Sequence, residues 1–338
     1  MRGVGRFAID AGGSHTRVLF AGPDGDVTSI DASTINPSAS GPAAADDTLR
    51  SVLEAVAGMA GHGPVVGWLA SASIDTRSNG DERSRLRRLV RDAGLSATLV
   101  LSNDVLPLLF GVPALAAHGG VVVVCGTGSG FLGRDAAGRV VGAGGCEYLG
   151  SDEGSAVDIG WRGLRAAVRA TDGRGAATGL VERMSTHAGQ PARELAREIA
   201  LGPYPKRALA GLAPLVCAAW LAGDEVAGEI VGACIAELCT GVRAVGNELG
   251  LPAGFAVATV GGVLTGCPAF ATRLEETLRG DFGVGVVQKV TSPVTRILAA
   301  LDRILAPDGT PVLPPYLRDR HAWLLRYDAY EMSGTEVR

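Results

Sequence analysis

The sequence predicts an α/β fold made of two related halves, mainly because one pattern occurs twice. Residues 7–31 and 121–142 each contain an apolar strand, a short loop of Gly, Ser and Thr, a second strand, a polar turn and a third strand. Behind each of these meanders, helix-like and strand-like patterns alternate along the chain. A length of 338 residues gives each half enough chain to bury its own core.

Hydrophobic periodicity predicts the elements that follow the first meander. Apolar residues at helical spacing favour a helix, which is followed by an apolar strand, an arginine-rich amphipathic helix, a short strand ending in Ser-Asn-Asp, and an apolar helix. The predicted bounds are helix 46–60, strand 65–73, helix 81–93, strand 98–101 and a last helix ending near residue 117.

The second half restarts at Gly119, and its later part is richer in helix. The predicted elements are a helix from about 155 to 170, a helical region over 176–250, strand 255–260, helix 268–279, strand 284–290 and helix 293–305. We therefore expect a first domain over 1–118 and a second over 119–306, with a helical insertion at about 176–250. A proline-rich surface tail is expected over 307–338.

Composition narrows the classes of partner. A net charge of −4 without long Lys/Arg runs argues against nucleic acid. The six cysteines form no C-x-x-C pair, so we expect reduced, buried thiols. Asp10 interrupts the first apolar run, and the apolar stretch 208–223 contains Pro214 and is too short for a membrane span. We expect a soluble cytoplasmic protein with a small-molecule substrate, and we leave a homodimer open.

The loop of the first meander has the composition of an anion site. Gly12 and Gly13 let the backbone approach a ligand, and successive N–H groups form a concave site to which Ser14 and Thr16 add hydroxyl donors. Asp10 ends a buried strand and needs a partner, for which a hydrated Mg²⁺ is suitable. An ordinary hairpin with a capping Asp is the alternative.

The loop of the second meander offers a similar cradle in Gly126, Thr127, Gly128 and Ser129. Alone it could be a plain turn, but the repeated context favours phosphate binding. Neither loop has the lysine-containing P-loop pattern, and no G-x-G-x-x-G precedes a helix with the acidic residue of a dinucleotide site. Two such loops from related halves could hold one polyphosphate, which points to phosphoryl transfer from a nucleotide.

Gly261 and Gly262 end a further strand directly before a helical pattern. Glycines at this position could let a flat adenine ring lie against the backbone. A simple strand-to-helix turn explains the pair equally well.

In their order and spacing these motifs resemble the N-acetylglucosamine kinase-like branch of the sugar kinase/heat-shock/actin ATPase superfamily, the BadF/BadG/BcrA/BcrD ATPase type. Over about residues 7–305 the resemblance is collinear. Residues 10–16 are similar to the first phosphate motif, 125–129 to the second and 260–263 to the adenosine motif. The resemblance implies two actin-like (ribonuclease H-like) domains with an interdomain cleft that binds ATP and Mg²⁺.

The same resemblance implies residue roles. Asp104 matches the catalytic base, Asn36 an early sugar-contacting Asn, and Gly145 and Asp152 a sugar-binding signature. A positioned carboxylate can accept the proton of an attacking sugar hydroxyl, and Asn and Asp side chains suit sugar hydroxyls. N-capping of the helices that follow is the alternative for Asp104 and Asp152.

The chain departs from the family pattern inside that signature. Cys146 stands where an aromatic residue is frequent, and Glu147 and Ser151 stand where glycines are frequent. Because these positions lie in the implied sugar pocket, Cys146 and Glu147 join the candidate substrate-binding residues. A carboxylate can pair with an ammonium, so we hypothesise that Glu147 favours a substrate with a free amine.

The expected function is an ATP-dependent kinase that phosphorylates a hydroxyl of an amino sugar such as N-acetylglucosamine or glucosamine, the 6-hydroxyl by resemblance. One alternative is an ATPase that activates a partner reductase or dehydratase through a cysteine-held iron–sulfur cluster, for which Cys125 is the nearest candidate ligand. Another is a non-catalytic sugar-binding regulator on the same fold.

Overall fold

A computed structural model describes residues 4–13, 15–61, 63–74, 81–314, 317 and 321–327, and it confirms the α/β prediction. Contacts divide the chain into two units. The first unit comprises Met1–Ala116 and Ser292–Arg338, and the second comprises Ala117–Thr291.

A mixed sheet of six strands forms the centre of the first unit, in the order β11-β5-β4-β1-β2-β3. The first three strands are the predicted antiparallel meander, and β4 and β5 continue the sheet in parallel with β1. The strands are β1 (Gly5–Ala11), β2 (His15–Ala21), β3 (Val27–Ser33), β4 (Val65–Ser71), β5 (Ala97–Ser102) and β11 (Ala322–Tyr327).

The second unit repeats the same plan with five strands, in the order β10-β9-β6-β7-β8. Here too an antiparallel meander is extended by two parallel strands, so β6 to β10 correspond one by one to β1 to β5. The strands are β6 (Gly120–Cys125), β7 (Ser129–Arg134), β8 (Val140–Gly144), β9 (Ala256–Val260) and β10 (Val286–Val290).

Helices cover both sheets. In the first unit they are α1 (Pro37–Ser40), α2 (Pro42–Ala60), α3 (Asp81–Asp92), α4 (Leu108–Gly111), α5 (Pro113–Ala116) and α15 (Pro293–Ile304). In the second they are α6 (Glu147–Gly150), α7 (Ala156–Thr171), α8 (Leu180–Ala188), α9 (Ala192–Leu201), α10 (Pro205–Ala210), α11 (Ala213–Leu221), α12 (Glu225–Leu249), α13 (Gly262–Gly266) and α14 (Pro268–Phe282). The helical region predicted over 176–250 is therefore α8 to α12.

The predicted single helix ending near residue 117 is wrong in detail. Val112 adopts an extended conformation (φ −83°, ψ 119°) between α4 and α5. Proline clashes with a helical conformation at the residue before it, so Pro113 ends one short helix and starts the next.

The C-terminal boundary also differs from the expectation. Helix α15, expected in the second domain, belongs to the first unit, where Arg6 pairs with Asp302 and the backbone of Arg296 lies directly against Gly111. Strand β11, expected in a surface tail, pairs antiparallel with β5 and buries Trp323 and Leu325. Burial of these apolar side chains explains why the segment returns to the sheet.

No single helix in the described part of the chain is long and apolar enough to cross a membrane. The segments Pro205–Leu221 and Glu225–Leu249 pass such a test only when counted together, and a bend of 118° separates them.

Candidate active site

In the first unit, two candidate carboxylates lie at the same edge of the sheet. The parallel strands β1, β4 and β5 all end there, and Asp10 is level with Ala70, which is level with Ser102. Asp104 follows β5 by two residues. Two strand spacings separate β1 from β5, so the backbones of Asp10 and Ser102 are roughly 10 Å apart.

Asp10 and Asp104 are half-buried acids whose pKa values are both raised. Burial, together with the negative charge of Asp104, raises the pKa of Asp10 from 3.8 to about 7, against a lowering by Arg17. Burial also raises the pKa of Asp104, to about 6, against hydrogen bonds from the N–H groups of Asp104 and Val105. Such shifts are frequent at functional sites.

The turn after β5 fixes Asp104 through its neighbours. The side chain of Asn103 accepts hydrogen bonds from the N–H groups of Val105 (2.9 Å) and Leu106 (3.1 Å). Trp68 Nε1 donates to Ser102 Oγ at 2.9 Å, and that hydroxyl donates to the Asn103 carbonyl at 2.8 Å. The capping role considered for Asp104 thus falls mainly to Asn103.

The loop between β1 and β2 carries the candidate first phosphate motif, and we refer to it as the first phosphate loop. Gly12 N–H donates to His15 O at 3.2 Å, and Thr34 Oγ1 donates to Gly12 O at 3.2 Å. The same hydroxyl accepts the N–H of Asn36 at 3.1 Å, so Thr34 ties the loop to the candidate sugar-contacting Asn. Gly13 is exposed on this loop, while Ser14 lies outside the described residues.

Thr16 does not have the exposure expected of a phosphate ligand. Its side chain is fully buried in β2, and its Oγ1 has no hydrogen-bond partner among the described residues. A buried hydroxyl without a partner is costly, which makes Thr16 an unsatisfied donor beside the loop.

In the second unit, helix α7 holds the second phosphate loop. Its first N–H groups, from Ala156 and Val157, donate to Gly126 O (2.9 Å) and Thr127 O (3.2 Å). Gly126 N–H donates across the loop to Gly128 O at 2.9 Å. In the described part of the chain the N–H groups of Thr127 and Gly128 have no such partner, so they remain available to an anion.

The adenosine motif lies directly against this loop, because β6 and β9 are parallel neighbours that end together. Gly261 has φ 131°, and a Cβ atom there would be 2.2 Å from Cys125 O. The Cα atom of Gly261 and the amide N of Gly262 lie about 4 Å from where a Cβ atom of Gly126 would be. Glycine is required at 261 by both its φ and this close approach.

Asp152 connects the sugar signature to the phosphate loop. Its Oδ1 accepts the N–H of Ser129 at 2.9 Å, and the hydroxyl of Ser129 donates to Glu153 O at 2.7 Å. A Cβ atom at Gly128 would lie 2.5 Å from Asp152 Oδ1, so this glycine makes room for the carboxylate. Ser129 therefore acts first as a link between the two motifs.

A cation already occupies the carboxylates of the signature. Lys206 Nζ lies 2.6 Å from Glu147 Oε2 and 2.9 Å from Asp152 Oδ2. Burial lowers the pKa of Lys206, but the hydrogen bonds that its ammonium donates to both carboxylates, with their negative charges, outweigh this and leave the pKa raised. Glu147, offered above for a substrate ammonium, is paired within the protein.

The rest of the sugar-binding signature forms a tight turn, in which Gly145 and Cys146 differ in how well they match the predictions. Gly145 has φ 72°, which favours glycine, and Ser151 Oγ accepts the N–H of Cys146 at 2.7 Å. Cys146 is exposed, contrary to the expectation that all cysteines are buried, whereas the other five are buried.

Sequence reasoning missed Thr34, Asn103 and Lys206, which bridge or position the predicted residues. Thr34 and Asn103 are ordinary turn residues, and nothing local marks them. For Lys206 a signal existed: only two of the 31 Lys and Arg residues are lysines.

The duplicated sheet, with carboxylates at the strand ends of one unit and a glycine cradle at those of the other, defines an actin-like ATPase architecture. A family model matches residues 8–284. The chain belongs to the BadF/BadG/BcrA/BcrD ATPase family.

Among curated proteins, the N-acetylmuramic acid/N-acetylglucosamine kinase of Clostridium acetobutylicum is 29% identical over 191 residues. The match spans 54% of this chain and 60% of that protein, less than two thirds of the relative's length.

Solved structures share the fold. A candidate N-acetylglucosamine kinase from Chromobacterium violaceum has a TM-score of 0.66 at 21% identity, covering 89% of this chain and 100% of that one. A second candidate from Porphyromonas gingivalis has a TM-score of 0.68 at 18% identity, covering 88% and 98%. A ROK family glucokinase from Streptomyces griseus, in complex with glucose and AMPPNP, has a TM-score of 0.52 at 17% identity, covering 88% and 98%.

Proposed function

We propose that this protein is an ATP-dependent sugar kinase that transfers the γ-phosphate of ATP to a hydroxyl of an amino sugar, such as the 6-hydroxyl of N-acetylglucosamine or glucosamine. The name of the Clostridium acetobutylicum relative supports the substrate class. The family supports the use of ATP.

The observation that carries the proposal is the state of Asp104. Its pKa of about 6 leaves it ionised near neutral pH yet basic enough to accept a proton, as a general base requires. Asn103 takes the capping bonds of the turn, so the Asp104 carboxylate is not committed to holding the backbone alone.

In the proposed reaction, Asp104 accepts the proton of the sugar hydroxyl while the hydroxyl oxygen bonds to the γ-phosphorus of ATP. The bond from that phosphorus to the bridging oxygen breaks, and ADP leaves with its electron pair. Asn36, Gly145 and Asp152 would orient the sugar, and Cys146, the residue after Gly145, is exposed.

Backbone groups of both phosphate loops would bind the nucleotide. The free N–H groups of Thr127 and Gly128 would donate to phosphate oxygens, as would the exposed Gly13, whereas the N–H of Gly12 closes its own loop on His15 O. Gly262, where a Cβ atom would meet nothing within 4 Å, would leave space for the adenine beside Gly261.

The residues of the first unit fit a hydrated Mg²⁺. Asp10 is a half-buried carboxylate whose pKa is raised to about 7, and the negative charge of a second acid, Asp104, contributes to that shift. A cation would favour the ionised form of Asp10. When bound, Mg²⁺ would neutralise phosphate charge, with Asp10 holding it through water.

The activator alternative finds little support in the cysteines. Cys125 is fully buried, its thiol donates to Gly154 O at 3.4 Å, and burial raises its pKa far above the ordinary value. In the described part of the chain no group of three or more His, Cys, Asp and Glu side chains is arranged to hold a metal ion.

A coupled assay of ATP consumption over hexosamines, N-acylated hexosamines, hexoses and aminocyclitols tests the proposal. We expect turnover to depend on an amino sugar and a phosphorylated sugar to appear in mass spectrometry. ATP hydrolysis that no sugar stimulates would contradict the proposed kinase.

A further inference from the structure

Lys206 links the helical insertion to the proposed sugar site. It belongs to α10, and its ammonium contacts both Glu147 Oε2 (2.6 Å) and Asp152 Oδ2 (2.9 Å). Only 6% of the Asp152 side chain is exposed, against 30% for Lys206 and 68% for Glu147. The inner bond is therefore shielded from solvent, while the outer one faces it.

The two partners of Lys206 have unusual backbone conformations. Glu147 has φ 61° and Asp152 has φ 73°, and no other non-glycine residue among those described has a positive φ. Such conformations persist where the surroundings hold them, and they cluster at ligand sites. One ammonium thus ties together both strained ends of segment 147–152.

The charges of this cluster bear on which sugars could bind next to it. The ammonium of Lys206 and the protonated amine of a hexosamine are the same functional group and would compete for the same carboxylates. With Lys206 in place, the cluster carries a net charge of −1 and its buried carboxylate has a partner. A second ammonium would have to displace the first or leave it unpaired near the site, and both are costly.

We propose that Lys206 is a specificity-determining residue whose ammonium occupies Glu147 and Asp152 and thereby excludes sugars with a free ammonium in favour of N-acylated ones. This inference rests on the proposed kinase function and replaces the amine preference that Glu147 alone suggests. Lys206 serves as a built-in counterion and not as a proton donor.

Steady-state kinetics with N-acetylglucosamine and glucosamine test the inference. The wild type should prefer the acetylated sugar, and Lys206→Met should shift the ratio of kcat/KM towards glucosamine at least about tenfold, mainly through a lower KM for glucosamine. Lys206→Arg, which keeps the charge, should retain the wild-type preference. Arg193→Met removes a positive charge from α9, where Arg193 pairs with the exposed Asp172, and should change nothing.

A measurement on the wild type covers the case in which Lys206→Met fails to fold. The KM for glucosamine should fall between pH 6.5 and pH 8.5, as the sugar loses its ammonium charge, whereas the KM for N-acetylglucosamine should not. Asp104 would titrate in the same way with either sugar, so the ratio of the two KM values removes its contribution.

Two results separate the inference from the function on which it rests. If the wild type phosphorylates neither sugar nor any other, the kinase proposal fails and the inference falls with it. If the wild type turns over both but Lys206→Met leaves their ratio within about twofold, or if the wild type prefers glucosamine, only the role of Lys206 is overturned.

Discussion

At the scale of single residues, Asp10 and Asp104 are kept in a state that costs stability. Both are carboxylates with raised pKa values at one sheet edge, and the charge of Asp104 adds to the effect of burial on Asp10. A fold selected only for stability would place neutral or paired groups there. The arrangement instead suits the proposed roles, in which Asp10 binds a cation and Asp104 accepts a proton from the substrate.

Replacing the proposed base tests its role. Asp104→Asn keeps the size of the side chain but cannot accept a proton, so we expect kcat to fall roughly 10²- to 10⁴-fold. Binding of an ATP analogue, measured by calorimetry, should change little because the variant alters neither of the two loops proposed to bind phosphate. Near-normal turnover would remove Asp104 from the mechanism.

Asp10 should couple stability to pH. Its folded pKa of about 7 exceeds the ordinary 3.8, so its stabilising contribution is fully present below about pH 4 and is lost as pH rises through 7. We compare the free energy of unfolding of Asp10→Asn with that of the wild type in the absence of Mg²⁺. From pH 4 to pH 8 this difference should shift in favour of the variant by on the order of 2 to 4 kcal/mol.

Urea unfolding at both pH values, with and without Mg²⁺, measures this effect. Added Mg²⁺ at pH 8 should stabilise the wild type more than Asp10→Asn. An equal pH dependence in both proteins would show that Asp10 does not carry the shifted titration.

At the scale of elements, the strand-to-loop turns of the second unit are packed backbone to backbone. Gly128 faces the carboxylate of Asp152, and Gly261 faces the carbonyl of Cys125. These glycines let the candidate phosphate loop, adenosine motif and sugar signature pack against one another. Ser129 links the loop to the signature through its hydrogen bonds to Asp152 and Glu153.

The close approach at Gly128 makes a sharp prediction. In Gly128→Ala the new Cβ atom would meet Asp152 Oδ1 at 2.5 Å, so the carboxylate must move away from Ser129 N–H and Lys206. We expect a loss of about 1–3 kcal/mol in stability and a raised KM for the sugar.

Gly280→Ala is the matched control: a Cβ atom there meets nothing within 4 Å in α14, and the change should be neutral or stabilising. Equal behaviour of the two variants would contradict the tight packing.

At the scale of the whole molecule, the chain repeats one five-stranded plan and then returns to the first copy. Helix α15 and strand β11 complete the first unit after the second has been built. The first unit therefore depends on both ends of the sequence, and its sheet has β11 as an outer strand beside β5.

Truncation tests this dependence. A chain ending at Leu317 lacks β11, exposes the edge of β5 and loses the buried Trp323 and Leu325, so we expect a lower melting temperature and aggregation. A chain ending at Tyr327 retains β11 and is the control, and its melting temperature should exceed that of the shorter chain. Thermal unfolding and light scattering distinguish the two, and an unaffected short chain would contradict the role of β11.

The sequence alone determined the repeated meanders, the order of the phosphate and adenosine motifs and the helical region, because periodicity and glycine loops are local signals. Tertiary structure decided what is not local. It returned α15 and β11 to the first unit, moved the capping role from Asp104 to Asn103, and set Lys206 against Glu147 and Asp152. The contact between Lys206 and Glu147 joins residues 59 positions apart, and a pairing of that kind follows from how α10 packs, which no local pattern encodes.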